Sequence, residues 1–118
     1  MTRVGLIGCG MLGRNLARNL AQLGVLGGVA DAVATQAESF AAEFQTTAQP
    51  VADLIGKAGL DGIVIATAAP THAELACQAF ATGKHVYVEK PLAVSLVEAE
   101  TMAAAAATAD RQLMVGHL

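Results

Sequence analysis

Short apolar runs alternate with helix-patterned stretches along the whole sequence, and that alternation leaves few architectures open. The runs fall at residues 4–7, 25–30, 62–66, 86–88 and 113–115, with a weaker sixth around 46–48. Strands separated by helices are joined in parallel, each helix crossing a face of the sheet. Runs without a polar break, such as Ile63-Val64-Ile65, suit strands covered on both faces. The expected fold class is α/β: a doubly wound, mostly parallel six-stranded sheet forming a single domain over residues 1–118. Ligands in such sheets sit at the carboxyl ends of the strands, where the strand order reverses.

Composition agrees with this and narrows the partners. An apolar share of 54% with only 14% charged residues fits a sheet largely withdrawn from water. The net charge of −3, the lack of a basic run and an aromatic set of one Tyr and three Phe argue against nucleic acid and anionic membranes. No apolar run reaches membrane-spanning length. The residues after Arg3 resemble a short signal core, but four glycines interrupt them and Arg14 and Arg18 follow at once, which argues against targeting. Cys9 and Cys77 stand far apart and make neither a metal spacing nor a disulfide framework; a reduced, cytoplasmic location is expected.

Three helix starts are marked by a hydroxyl three residues before a glutamate: Thr35 with Glu38, Thr71 with Glu74, and Ser95 with Glu98. In that arrangement the two side chains satisfy free backbone N–H groups, so each pair predicts a capping box. Gly59 and Gly83 read as helix ends, and the alanine-rich stretch at 102–110 reads as helix. The first helix, expected from about residue 11 to 23, breaks the pattern. Gly8-Cys9-Gly10-Met11-Leu12-Gly13 leads into it with no side chain able to cap it, so its first amides need another partner.

Gly8, Gly10 and Gly13 match G-x-G-x-x-G between a strand and a helix, the setting that gives this otherwise weak motif its meaning. Gly8 permits the tight bend, Gly10 lets a pyrophosphate approach the backbone, and Gly13 lets helix and strand pack closely. The amides of Met11, Leu12 and Gly13 and the helix dipole would then hold the phosphate charge. A turn serving packing alone is the alternative. Asp31, at the end of the second run, stands where a carboxylate accepts hydrogen bonds from an adenosine ribose. No cation follows in Ala32-Val33-Ala34-Thr35 to receive a 2′-phosphate, so NAD is expected rather than NADP. Asp31 could instead only cap the next turn. These features together are those of a Rossmann domain.

The second half carries a more specific likeness. Gly83-Lys84-His85-Val86-Tyr87-Val88-Glu89-Lys90-Pro91-Leu92 resembles the G-K-H-V-x-x-E-K-P-L segment of the Gfo/Idh/MocA oxidoreductases. Ala66-Thr67 with His72-Ala73-Glu74, and Leu113-Met114-Val115-Gly116-His117, resemble further segments of that family. Ala68 departs from the pattern, which often has proline there. The resemblance implies that Thr67 and His72 face the nicotinamide side of the cofactor, and that Glu89 and Lys90 lie beside the nicotinamide ribose and the substrate. It makes Lys90 the active-site lysine, aimed by Pro91 through a turn that a cis bond would suit. An ammonium beside a carbinol oxygen would favour alkoxide character as hydride leaves. Without the resemblance, Glu89-Lys90 reads as a solvated charge pair and His72 as helix surface. His85 reads as structural, Cys9 as loop packing and Cys77 as core.

Family members continue into a second domain that supplies the substrate pocket, so cofactor binding without useful turnover is expected of residues 1–118 alone. The expected function is the NAD(H)-binding part of a dehydrogenase acting on a sugar or sugar derivative, the Met-Val-Gly-His-Leu ending being most like members that oxidise nucleotide-linked sugars. The alternative is a catalytically silent NAD-binding regulatory or interaction module. The last strand would present a free edge, through which a homodimer is expected.

Overall fold

A computed structural model describes residues 2–116. Five parallel strands form one sheet in the order β2-β1-β3-β4-β5. They are β1 (Val4–Ile7), β2 (Leu26–Ala30), β3 (Gly62–Ile65), β4 (His85–Glu89) and β5 (Leu113–Gly116). The helices are α1 (Met11–Gln22), α2 (Ala34–Phe44), α3 (Val51–Ile55), α4 (His72–Ala81) and α5 (Leu96–Ala109), with a 3-10 turn at Ala69–Thr71 leading into α4. From β1 the chain winds outward to β2, then returns to add β3, β4 and β5 on the other side. The order therefore reverses between β1 and β3, and the ends of those strands open the crevice in which such folds hold ligands.

Each face of the sheet has its own core. Leu6, Val29 and Val64 pack with Ala17 of α1 and Ala37 and Phe40 of α2. On the opposite face Ile7, Ile63, Ile65 and Val88 pack with Leu54 of α3, Phe80 of α4 and Met102 of α5. The first layer stops short: among the described residues no helix covers its face over β4 and β5, and Tyr87 is half-buried there while Met114 is 61% exposed.

The sixth strand expected at 46–48 is not formed. Ala48 makes a single parallel bridge to Val29. Pro50, with no N–H to give, then leads into α3 and ends the pairing. His117, part of the resemblance at the closing strand, lies outside the described residues.

Of the three expected capping boxes, Ser95 makes the helix-side bond: its hydroxyl accepts from the Glu98 amide at 3.2 Å, while Glu98 accepts from the Val94 amide at 3.4 Å, one residue before the cap. The other two are corrections. Helix α2 begins at Ala34 with Val33 as its cap, so Thr35 lies inside the helix. Thr71 precedes α4, but its hydroxyl donates to the Ala68 carbonyl instead. Gly83 ends α4 in a left-handed conformation, whereas α3 ends at Gly56 and Gly59 bends the loop beyond it.

Candidate functional site

Four loops leave the carboxyl ends of β1 to β4, and short contacts join them into one rim. Asp31, after β2, accepts a hydrogen bond from the Cys9 amide at 2.7 Å and another from the Val33 amide at 2.8 Å. One bond ties β2 to the glycine loop; the other makes the turn into α2. Both roles foreseen for a carboxylate here can therefore coexist, because each oxygen keeps a free lone pair for a ribose hydroxyl. Gly8 lies so close to the Ala66 carbonyl that a side chain there would overlap it. Thr67 follows Ala66 and is joined through His72 to Pro91, beyond β4.

The three glycines of the loop differ in what surrounds them. Gly8 adopts a φ of +111°, a left-handed region that side chains disfavour. A Cβ on Gly13 would overlap the Gly8 carbonyl, so this glycine seats α1 against the loop. Gly10 has ordinary extended backbone, and a Cβ there would meet nothing within 4 Å. Gly10 thus borders open space at the tip of α1. No side chain caps that tip, and α1 begins its own bonding only with the Arg14 amide donating to the Gly10 carbonyl. The Met11 and Leu12 side chains are exposed to solvent, Met11 to 87%. A diphosphate fits this cradle: donors without partners, a positive helix end, and room where a side chain would stand.

Beyond Asp31 lies a cleft of about 370 Å³, lined by Ala34, Ala37, Glu38, Gln49, Pro50 and Val51 among others. It is suited to a flat base beside the ribose. Glu38 was legible only as half of a capping box. With Thr35 inside the helix, its carboxylate has no hydrogen bond among the described residues and borders the cleft as a second negative charge.

Thr67 and its neighbours form a small hydrogen-bonded knot. The Thr71 hydroxyl gives its proton to the Ala68 carbonyl, so in the 2.6 Å contact between hydroxyls Thr67 is the donor. The Thr67 oxygen is left as an acceptor. His72 does not stand open to the site: its ring is 1% exposed, with Nδ1 at 2.9 Å from the Pro91 carbonyl and Nε2 at 3.0 Å from the Thr67 carbonyl.

Glu89 is also buried, and the Tyr87 hydroxyl donates to its Oε1 at 3.4 Å. Burial, the Glu89 charge and this bond together hold the Tyr87 phenol above its usual pKa. Tyr87 was missed as a site neighbour, although two residues along a strand share a face. Lys90 is exposed and has no hydrogen bond or ion pair among the described residues. The Lys90–Pro91 peptide is cis.

The cysteines stand apart from this chemistry. Cys9 donates its thiol to the Ala30 carbonyl at 3.6 Å, and burial, with the Asp31 charge second, pushes it up to about 12. Cys77 is only half-buried, lining a shallow groove between α4 and α5, and so belongs to the margin of the core. His85 is structural as expected, its Nδ1 accepting from the Gln112 amide at 2.9 Å.

A doubly wound sheet with an open, uncapped helix tip and an acid at the end of β2 that ties into the glycine loop has the form of a dinucleotide-binding domain. Residues 2–117 match the model of the oxidoreductase family with an NAD-binding Rossmann fold, Gfo/Idh/MocA, and the chain belongs to that family. It is 35% identical to a UDP-N-acetylglucosamine 3-dehydrogenase of Acidithiobacillus ferrooxidans, over 98% of this chain and 37% of that one. It is 37% identical to an inositol 2-dehydrogenase of Saccharopolyspora erythraea, over 98% of this chain and 36% of that one. Among solved structures, GenD2 from gentamicin A biosynthesis in complex with NAD superposes with a TM-score of 0.91 at 29% identity, over 98% of this chain and 35% of that one. NAD is the cofactor of this domain. The chain spans little more than a third of the length of these relatives. No helix among the described residues is long and apolar enough to cross a membrane.

Proposed function

We propose that this domain is the cofactor-holding part of a dehydrogenase that oxidises a secondary hydroxyl of a sugar, a cyclitol or a nucleotide-linked sugar. The carrying observation is the rim from Asp31 to Lys90, which orders the loops as a dinucleotide's parts require. The cleft beside Asp31 takes the adenosine, the amides of Met11, Leu12 and Gly13 the diphosphate, and the Thr67 oxygen a hydroxyl of the nicotinamide ribose. Bound NAD supplies a carbon that accepts hydride from the substrate. Lys90, whose side chain has no hydrogen bond or ion pair among the described residues, stands next to that end and stabilises negative charge developing on the substrate oxygen. Glu89, covered by Tyr87, acts by holding the end of β4. Asp31 and Glu38, both negative, disfavour the added phosphate of NADP.

Hydride transfer needs a positioned substrate shielded from water, and the domain is proposed to act beside further protein structure of the kind its longer relatives have room for. The bare sheet face at Tyr87 and Met114 offers such a partner a surface, and the free edge of β5 favours a homodimer by strand addition. Nucleic acid is not among the partners we propose, given the net charge of −3. Two unpaired thiols support a reducing, cytoplasmic setting.

A catalytically silent NAD-binding module is the second reading, favoured by the exposed position of Lys90. Assay of the longest polypeptide encoded with this domain, against inositols and UDP-sugars, separates the two. NADH formation that disappears in Lys90→Ala supports the dehydrogenase; NAD binding with no NADH from any of these substrates supports the silent module.

A further inference from the structure

His72 heads α4, yet it is the most deeply buried titratable side chain of the rim, at 1% exposure. Both ring nitrogens meet backbone carbonyls, and these belong to separate loops. Nε2 lies 3.0 Å from the Thr67 carbonyl, on the loop after β3, and Nδ1 lies 2.9 Å from the Pro91 carbonyl, on the turn after β4. The rest of α4 packs under the sheet through Ala76, Ala79 and Phe80, so the ring is held from a rigid body. Thr67 is fixed again by its hydroxyl contact with Thr71.

We propose that His72 is a positioning residue which sets the distance between Thr67 and Lys90, and so shapes the nicotinamide half of the NAD site without touching the cofactor. This rests on the cofactor reading above. The Lys90 side chain has no hydrogen bond among the described residues, and its backbone runs between the end of β4 at Glu89 and Pro91, whose carbonyl meets the His72 ring. The same ring meets the carbonyl of Thr67, the residue whose hydroxyl the cofactor reading gives to the nicotinamide ribose. An imidazole with one N–H donates to one of the two carbonyls, and a ring with two donates to both. An alanine at this position leaves both loops without their common anchor and removes the N–H donor that the ring supplies between their carbonyls.

A merely structural role would weaken every ligand together; a positioning role would not. ADP carries the adenosine and diphosphate, which sit on Asp31 and the tip of α1, whereas NAD adds the nicotinamide riboside. Calorimetric titration of wild type, His72→Ala and His72→Gln with ADP and with NAD therefore tests the assignment. We expect ADP affinity to be unchanged in all three and NAD affinity to fall about tenfold in His72→Ala, the loss that one misplaced hydrogen-bond partner produces. His72→Gln, which keeps a donor, should recover part of that loss. If the alanine variant does not fold, the glutamine variant carries the comparison, with a smaller loss for NAD and none for ADP. Unchanged NAD affinity, or equal losses for ADP and NAD, overturns the assignment. A wild type that binds neither ligand instead overturns the cofactor reading beneath it.

Discussion

The Asp31 carboxylate and the Cys9 amide, 2.7 Å apart, bind the end of β2 to the glycine loop as a single unit. One acid thereby shapes the glycine loop and keeps further lone pairs free, which the proposed function gives to the ribose. Changing it should affect both affinity and choice of cofactor.

Asp31→Asn removes the charge and keeps one acceptor. NAD binding should weaken by about 1–2 kcal/mol, the cost of losing charge-assisted hydrogen bonds, while NADP binding improves because its 2′-phosphate no longer meets a carboxylate. Titration of wild type and variant with both dinucleotides gives the ratio. An unchanged preference would place the ribose elsewhere.

The glycines should separate by function. Gly13→Ala forces a side chain into the Gly8 carbonyl and should destabilise the fold by several degrees in Tm. The Cβ of Gly10→Val meets no protein atom within 4 Å, so Tm should stay within about 2 °C while NAD binding is lost. Thermal melts with and without NAD check both. A Gly10→Val protein that still binds NAD tightly would remove the diphosphate from the loop.

Thiol chemistry tests the environment of the loop. Cys9, pushed up to about 12 mainly by burial and next by Asp31, holds almost no thiolate at pH 8. Burial raises Cys77 as well, but it is half-exposed. Mass spectrometry after iodoacetamide treatment of native protein should show Cys77 modified and Cys9 spared, with both modified in denaturant.

Lys84 is 4% exposed, and the Thr82 hydroxyl 3.3 Å from its Nζ is its described partner. Burial lowers its pKa below the usual 10.5, so the folded state disfavours the charged form. That cost is fully present below the folded-state pKa and disappears as pH rises past 10.5, where the unfolded chain also loses its proton. Lys84→Met should therefore stabilise the protein at neutral pH by about 1 kcal/mol, or about 4 °C in Tm, and the gain should shrink towards alkaline pH. Melts of both proteins from pH 7 to strongly alkaline conditions measure it.

What could be read from the sequence was what neighbouring residues decide. The uncapped start of α1 follows from six consecutive residues, and five strands follow from runs that no helix period explains. The failures share a cause. Thr35 and Glu38 have the spacing of a capping box, but a turn built by Asp31 starts α2 two residues earlier. Thr71 has a carbonyl partner in the 3-10 turn that precedes it. The run at 46–48 needed a second strand beside it for more than one bridge, and Pro50 ended the pairing. His72 reads as surface because its two partners come from loops five and nineteen residues away, and only the folded sheet brings them to opposite sides of one ring.

The central claim is that the bare tip of α1 holds a diphosphate, and amide NMR observes it directly. In a titration of ¹⁵N-labelled protein with NAD, the amides of Gly10, Met11, Leu12 and Gly13 should shift most, with those of Cys9 and Asp31 next. A titration that leaves these amides in place and moves another surface, or none, would contradict the account.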